Sequence, residues 1–216
     1  MDESNTIRLD LPIPLFPLSD CVAMPHVTVP LHIFEYRYRQ MISDVLDSHG
    51  QIAMAVFAGD DWKDDYEGRP PIRPVVCVGT VTQYHRLEDG RFNIMLQGEC
   101  RAVVRDEDWS RSKPYRLGRL ALACDRSPTE MMLAGYRARI LALINDSTLH
   151  RLKPIQTMSQ WLKADIPTVE LIDQLIMATT ENSEQRYDML AEPDVMNRCR
   201  WLERQLQRIR AALTQF

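Results

Sequence analysis

The chain has 216 residues, of which 45% are hydrophobic and 26% charged, and its formal net charge is −4. These proportions are typical of a globular protein and argue against disorder. The acidic balance argues against general electrostatic binding to nucleic acid or to an anionic membrane, because both require a basic surface.

The composition changes near residue 126. Seven of the eight glycines precede this point, and only Gly135 follows it. Glycine-rich turns are typical of strands, and long glycine-poor stretches are typical of helices. The sequence therefore predicts an α+β protein, with a β-rich lobe over residues 1–126 and a helical lobe over residues 127–216.

The β-rich lobe is predicted to contain several strands and one helix. Alternating apolar residues at 27, 29 and 31 predict a half-buried strand. Residues 52–57 form a short apolar run typical of a buried strand, whereas residues 60–67 contain five acidic side chains and predict a solvated loop. Between the first strand and residues 52–57 the period changes, and one face of a helix over 34–46 collects Phe34, Tyr38, Met41, Ile42 and Val45.

A long β-hairpin is the clearest local prediction. Asp89-Gly90 separates the run 75–87 from the run 92–104, and an Asp-Gly pair suits a type I′ turn. Residues 115–123 supply another strand. Several strands around one tight hairpin indicate a twisted or barrel-like sheet.

The helical lobe opens with a predicted capping box. Ser127 is the expected N-cap, Pro128 the first helical residue and Glu130 the third, with the helix running to about Asn145. A second helix is predicted from residues 165–167, and Ser183 is expected to cap a short third helix. The inward residues of the second helix are predicted to be Leu171, Ile172, Leu175 and Ile176.

The last helix carries a heptad seam over residues 195–213. Its apolar residues step by four and three, and several charged residues are assigned to the other faces. Packing within the helical lobe is one interpretation and self-association of the chain through 195–213 is the other. The seam consists of Val195, Cys199, Leu202, Leu206, Ile209 and Leu213; the charged residues are Arg198, Arg200, Glu203, Arg204, Arg208 and Arg210.

The sequence contains no motif that identifies an enzyme. It has no phosphate-binding loop, dinucleotide fingerprint, G-x-S-x-G or H-E-x-x-H. Its five cysteines are widely spaced, which favours buried thiols in a reducing compartment over disulfides or zinc. His26 and His32 flank one strand but have no evident third metal ligand. We therefore expect no catalytic residue, no metal and no cofactor.

Location and partners can also be predicted from the sequence. No stretch approaches the ~20 apolar residues of a membrane span, and residues 1–5 lack the features of a signal peptide, so we expect a cytoplasmic protein without a membrane partner. Aromatic and basic residues alternate at 36–39, 84–86 and 91–92, a pattern that can bind single-stranded nucleic acid. Given the acidic total, ordinary amphipathic surfaces are the favoured interpretation.

Several segments together resemble the amino-terminal domain of the Lon protease family. They are Pro-Leu-Phe-Pro-Leu at 14–18, Met-Pro at 24–25, Leu-His-Ile-Phe-Glu-Tyr-Arg-Tyr at 31–38, Val-Gly-Thr-Val at 78–81, Asp-Gly-Arg-Phe-Asn-Ile at 89–94 and Gln-Gly-Glu-Cys-Arg at 97–101. The resemblance extends over about residues 10 to 210. His26 stands where the family usually has glycine, and Tyr36 where proline is common.

The resemblance implies a PUA-like pseudobarrel followed by an α-helical bundle. It also implies a role in recognising exposed or unfolded segments of substrate proteins, with Lon-type protease components as partners. Because the chain ends at Phe216, before any ATPase or peptidase part, we expect a non-catalytic, free-standing domain. The candidate peptide-binding residues are Phe16, Pro30, Phe34 and Arg37, since they lie in the motif segments.

Two other functions remain open at this stage. PUA-like folds often bind RNA, which would require a basic face on the β lobe despite the acidic total. Alternatively, the chain is an adaptor or regulator that associates through its last helix.

Overall fold

A computed structural model describes residues 7–66, 68–108, 110, 112–123, 128–158 and 166–214. The chain divides into two compact units, Met1–Ala123 and Cys124–Phe216, which we call the β unit and the helical unit. A sheet-rich first part and a helical second part agree with the predicted layout. The predicted boundary between residues 126 and 127 lies outside the described residues and stays a prediction.

The described part of the β unit contains six strands and one α-helix. The order along the chain is β1 (Ile13–Leu18), β2 (Thr28–Ile33), α1 (Tyr36–Leu46), β3 (Gln51–Val56), β4 (Val75–Arg86), β5 (Phe92–Glu107) and β6 (Arg116–Leu122). A short 3-10 helix, Asp61–Lys63, lies in the acidic loop. All six residues of β3 are buried: residues 52–56 belong to the predicted apolar run, and the polar Gln51 is buried with them.

The six strands form one sheet whose ends meet. The strand order is β2-β5-β4-β3-β1-β6, and an additional pairing of β5 with β6 closes the strands other than β2 into a ring. This closure is possible because β5 is long: residues 92–97 pair with β2, and residues 102–107 pair with β6. The ring encloses an apolar core that includes Leu15, Ala53, Val78 and Ala102.

The outer part of the sheet extends beyond this ring. It consists of β2, residues 92–97 of β5 and residues 81–86 of β4, which we call the flap. Among the described residues, β2 pairs with β5 alone, so its other edge is unpaired.

The turn before β2 is held close to β5. The backbone N–H of His26 donates to the carbonyl of Gly98 at 2.9 Å, and the N–H of Gly98 donates to Val27 at 2.9 Å. A Cβ on Gly98 would lie 2.1 Å from the carbonyl oxygen of Met24, so only glycine allows this approach. His26 has φ 62, the left-handed conformation that glycine adopts most easily.

The β4–β5 hairpin is confirmed, but its predicted turn type is wrong. Gly90 has φ 81, and no other residue of the turn has positive φ, whereas a type I′ turn needs two such residues. The N–H of Leu87 donates to Arg91 at 2.8 Å, and the N–H of Gly90 donates to Leu87 at 2.9 Å. The loop is therefore a type I turn followed by glycine in the left-handed conformation.

Helix α1 is confirmed with one exception. Tyr38, Met41, Ile42 and Val45 form its buried face, as predicted. Phe34 lies before the helix and is 60% exposed, so its assignment to that face was wrong. The reason is that α1 begins only at Tyr36, and residues 34–35 continue from the extended β2.

The helical unit contains five α-helices and one short 3-10 helix, Leu149–Arg151, in the described residues. The α-helices are α2 (Glu130–Ile144), α3 (Lys153–Met158), α4 (Thr168–Thr179), α5 (Ser183–Ala191) and α6 (Val195–Thr214). Helix α6 packs against α2 and α4. The four predicted inward residues of α4, at 171, 172, 175 and 176, are all buried.

The predicted helix caps need correction. Helix α2 begins at Glu130 with Thr129 as N-cap and no side-chain cap, and Ser127 lies outside the described residues. The Glu130 carboxylate instead accepts hydrogen bonds from the backbone N–H and hydroxyl of Thr168, at 2.8 and 2.6 Å. Helix α5 is capped by Asn182 rather than Ser183, since the Asn182 side chain accepts from the backbone N–H of Gln185.

The seam of α6 is used within the helical unit. Val195, Cys199, Leu202 and Leu206 are fully buried there. The assignment of Arg198 to an outer face was wrong: it is 1% exposed and its Nη1 lies 2.7 Å from the Asp173 carboxylate on α4. The heptad pattern alone would place the Arg198 charge in water. In the structure this charge is buried and is compensated by the Asp173 carboxylate.

Two further expectations concern membranes and thiols. No helix among the described residues has the length and apolarity needed to cross a bilayer. Cys77 and Cys199 are buried, Cys21 and Cys100 are partly buried, and Cys124 lies outside the described residues.

Candidate functional site

The structure separates the four predicted binding residues. Phe16 is 4% exposed in β1, and its ring packs edge-on against Tyr38 with centroids 4.5 Å apart. Pro30 is exposed on β2, and Phe34 is exposed just after that strand. Arg37 is half-buried in the first turn of α1. Pro30 and Phe34 therefore belong to the flap surface, whereas Phe16 supports α1 from the core.

A groove of about 440 Å³ lies along the flap. We call it the flap groove. It is lined by Pro30, Leu31, His32, Gln83, Tyr84, His85, Asn93, Ile94 and Met95. Three adjacent strands thus contribute to one concave surface.

The strand register places six of these side chains on one face of the sheet, whereas Leu31, Ile94 and Tyr84 pair with one another at the alternate positions. Pro30 lies opposite Met95, and His32 lies opposite Asn93. On the other side of β5, Asn93 lies opposite His85. Directly paired residues project from the same face of a sheet, so this face alternates apolar and polar rows.

His32 is held in place at the centre of this face. Its Nδ1 lies 2.7 Å from Oδ1 of Asn93, and its Nε2 lies 3.2 Å from Nη1 of Arg91. The Phe34 ring stacks on the imidazole with centroids 6.2 Å apart. The exposed aromatic ring is therefore supported by an ordered polar side chain rather than by the core.

Arg37 lies in a separate and more rigid environment. Its guanidinium carbon lies 4.6 Å from the ring centroids of both Tyr38 and Tyr66. Its Nε donates to Glu35 at 3.1 Å, and the Tyr66 hydroxyl donates to the same carboxylate at 2.7 Å. Burial and the hydrogen bond to Glu35 raise the pKa of Tyr66, and burial raises the pKa of Tyr38, so both phenols stay neutral near pH 7.

Part of the flap groove was missed by reasoning from the motif segments. Tyr84 is 59% exposed, and it reaches the groove together with Met95 from strands distant in sequence from Pro30. Tyr84 and His85 were noticed only as an aromatic-basic cluster. The available signal was the hairpin, whose register brings residues 83–85 beside 93–95.

The described residues offer no group of three or more side chains arranged to hold a metal ion. Burial raises the pKa of the Cys100 and Cys199 thiols to about 11. Protonated thiols are poor nucleophiles at neutral pH. The described surface of the β unit combines an unpaired strand edge, a groove that includes Tyr84, and polar side chains held by hydrogen bonds.

The family of the chain follows from its sequence. Residues 12–208 match the model of the substrate-binding domain of the ATP-dependent protease La, or Lon. This match spans nearly the whole chain, so the chain belongs to that family, and the predicted resemblance is confirmed.

Curated relatives of the chain are Lon proteases. The chain is 23% identical over 206 residues to a Lon protease of Desulfosudis oleivorans, an alignment covering 94% of this chain and 24% of that protein. It is 31% identical over 91 residues to a Lon protease of Azospirillum brasilense, covering 42% of this chain and 11% of that protein. The chain thus spans about a quarter or less of these relatives.

Solved structures share the fold. The amino-terminal domain of a Mycobacterium avium complex Lon protease superposes with a TM-score of 0.68 at 18% identity, covering 91% of this chain and 98% of that one. A Lon N-terminal domain protein from Xanthomonas campestris gives a TM-score of 0.56 at 19% identity, covering 89% and 96%. At such low identity these structures support the fold alone.

Proposed function

We propose that this chain is a non-catalytic module that binds exposed or unfolded polypeptide segments in the flap groove. The observation that carries the proposal is an aromatic groove beside an unpaired strand edge, on a domain of the Lon substrate-binding family. An extended peptide can add to such an edge through main-chain hydrogen bonds, while neighbouring pockets select its side chains.

Pro30 determines which backbone groups of β2 can form hydrogen bonds with an added peptide strand. Proline has no N–H, so its nitrogen faces away from β5 and toward the unpaired edge. Backbone groups alternate in direction along a strand, and those of His32 therefore face the same edge. Pro30 also limits continuous strand addition, a common protection against aggregation. Binding should thus centre on residues 32–34, with the groove side chains supplying selectivity.

The β unit carries exposed aromatic side chains, of which Tyr84 lines the flap groove and Phe34 stacks on the groove residue His32. Phe34, Tyr36 and Tyr84 are more than half exposed, although aromatic residues ordinarily bury most of their area. Exposed aromatic groups next to a polar rim are typical of protein interaction sites.

The family membership supports the finer features of the proposal. A ring of five strands with an added edge strand is compatible with a PUA-like pseudobarrel. The family description, a substrate-binding domain of an ATP-dependent protease, supports protein substrates and Lon-type protease components as partners in the cytoplasm.

Fluorescence anisotropy with a labelled, permanently unfolded polypeptide tests the proposal. We expect saturable binding that persists at moderate salt, and an affinity about tenfold weaker for Phe34→Ala and Tyr84→Ala, as for truncated aromatic anchors at other interfaces. Met131→Ala is the matched control, because Met131 is 85% exposed on the helical unit and should leave affinity unchanged.

A labelled single-stranded RNA serves as the competing probe. Binding to RNA that weakens steeply with salt, without binding to the polypeptide, would replace the proposal by the nucleic-acid alternative. Equal loss of polypeptide affinity in all three variants would show that the flap groove is not the site.

A further inference from the structure

A second cavity in the β unit has a different chemical character from the flap groove. Its volume is about 420 Å³. We call it the basic pocket; it is lined by Arg37, Tyr38, Gly68, Arg69, Lys113, Pro114, Tyr115 and Arg116. Four of these eight residues are cationic, and the described lining includes no acidic side chain.

Two of the cations are fixed parts of the wall. Arg116 donates to both carboxylate oxygens of Glu107, at 2.8 and 2.6 Å, and to the carbonyl of Pro70 at 2.7 Å. Arg37 is held by Glu35 and by the two tyrosine rings. Because the carboxylates contact these cations without lining the pocket, the cavity itself presents guanidinium groups.

Lys113 is the most accessible of the cations. Its side chain is 46% exposed, and its Nζ lies 2.7 Å from the Asp44 carboxylate. An ammonium group has three donors, so it can bind Asp44 and a ligand together. Asp44 also accepts from the Tyr115 hydroxyl at 2.7 Å, which keeps this carboxylate in place if Lys113 is removed.

The start of α1 contributes Arg37 and Tyr38 to the wall of the basic pocket. The first turn of α1 contains no acidic residue, and Glu35, its N-cap, makes no side-chain cap. Helix starts favour negative charge because the unpaired N–H groups carry a partial positive charge. Placing Arg37 there is locally unfavourable, and such exceptions are expected at functional sites.

Arg37 provides an independent indication of a missing acceptor. Its Nη2 is buried, and it has no hydrogen-bond acceptor among the described residues. Buried donors in native proteins are nearly always satisfied.

We propose that the basic pocket binds an oxyanion, a carboxylate or a phosphate group, with Lys113 as the main contact. Its volume is many times the ~30 Å³ of one water molecule, so an acidic side chain or a phosphate fits inside. The site is separate from the flap groove, and the proposal holds whether or not polypeptides bind there.

NMR titration of the ¹⁵N-labelled full chain tests the proposal at constant ionic strength. One arm uses inorganic phosphate. The other uses a capped peptide with three consecutive glutamates, compared with its glutamine counterpart. We expect saturable shifts of the backbone amides of Arg69, Lys113, Tyr115 and Arg116 with phosphate, with the glutamate peptide, or with both.

Lys113→Ala should weaken that binding about tenfold, as expected for loss of one charge-assisted hydrogen bond. Lys63→Ala is the matched control, because Lys63 also pairs with a carboxylate at 2.7 Å but lies outside the pocket. Saturation by phosphate identifies a site for free oxyanions; saturation by the glutamate peptide alone identifies a carboxylate of a bound chain. Non-saturating shifts, or equal weakening in both lysine variants, would overturn the proposal.

Discussion

At the scale of single residues, His26 shows how one side chain can depart from the pattern of its family without losing the turn. Its φ of 62 belongs to the left-handed region, where histidine is tolerated more readily than most residues. The hydrogen bonds between this turn and Gly98 hold the backbone there. The departure from glycine at position 26 therefore changes the side chain and leaves the geometry of the turn intact.

His26→Val should destabilise the chain by about 1–2 kcal/mol, because β-branched residues fit the left-handed conformation poorly. His26→Gly should change stability by less than about 0.5 kcal/mol, since relief of strain is offset by the greater freedom of glycine in the unfolded chain. Urea denaturation measures both effects. His85→Val, the same change on extended β4, is the control, and a loss there as large as at His26 would contradict the argument from φ.

At the scale of elements, Glu130 links two helix starts. Hydrogen bonds from the hydroxyl and backbone of Thr168 hold the pKa of Glu130 below its ordinary value. A carboxylate with a lowered pKa stabilises the folded state above its unfolded pKa of about 4.3, and this contribution is lost as the pH falls through the folded value. The carboxylate thus caps α4 from α2, a role that the local capping pattern did not predict.

Glu130→Gln should lower the free energy of unfolding at pH 7 by about 0.5–1 kcal/mol, a modest effect because the side chain is largely exposed. The difference from the unmodified chain should shrink as the pH falls below the unfolded value of about 4.3, and it should vanish once the pH passes the lowered folded pKa of Glu130. Chemical denaturation across this pH range measures the difference in free energy of unfolding between the two proteins. Glu181→Gln removes the same charge from an exposed position of the helical unit. An equal pH-dependent loss of stability in that variant would show that the Thr168 contacts are not the cause of the effect.

At the scale of the whole molecule, the heptad seam of α6 is used mainly for packing within the helical unit. The first four seam residues are buried within the helical unit, which leaves Ile209 and Leu213 near the end of the helix. Fewer than three heptads form a weak coiled coil, and two remaining positions form a weaker one. Removing residues 195–216 would therefore destroy the helical core and would not report on association.

We expect sedimentation equilibrium to find a monomer at micromolar concentration, because the seam is already occupied. Leu213→Glu should then also sediment as a monomer, with no change of oligomeric state. A dimer that dissociates on Leu213→Glu, but not on Met131→Glu at an exposed position of α2, would instead establish self-association through α6.

Local patterns in the sequence determined the buried strand at 52–57, the face of α1, the inward residues of α4 and the family. Each of these depends on the periodicity of neighbouring residues or on a motif within one segment. The hairpin was predicted because Asp-Gly strongly favours a turn, but the turn type also depends on how many residues the two strands leave unpaired.

Only the tertiary structure decided the surfaces. The flap groove exists because β2, β4 and β5 pair in one register, and the basic pocket exists because α1 and the segments near residues 69 and 115 meet. Packing between elements also buries Phe16 against Tyr38 of α1 and encloses Arg198 of α6 with Asp173 of α4, whereas Phe34 stays exposed after β2. Such contacts join residues far apart in the chain, and their burial is determined by the packing of whole elements rather than by the pattern of any one segment.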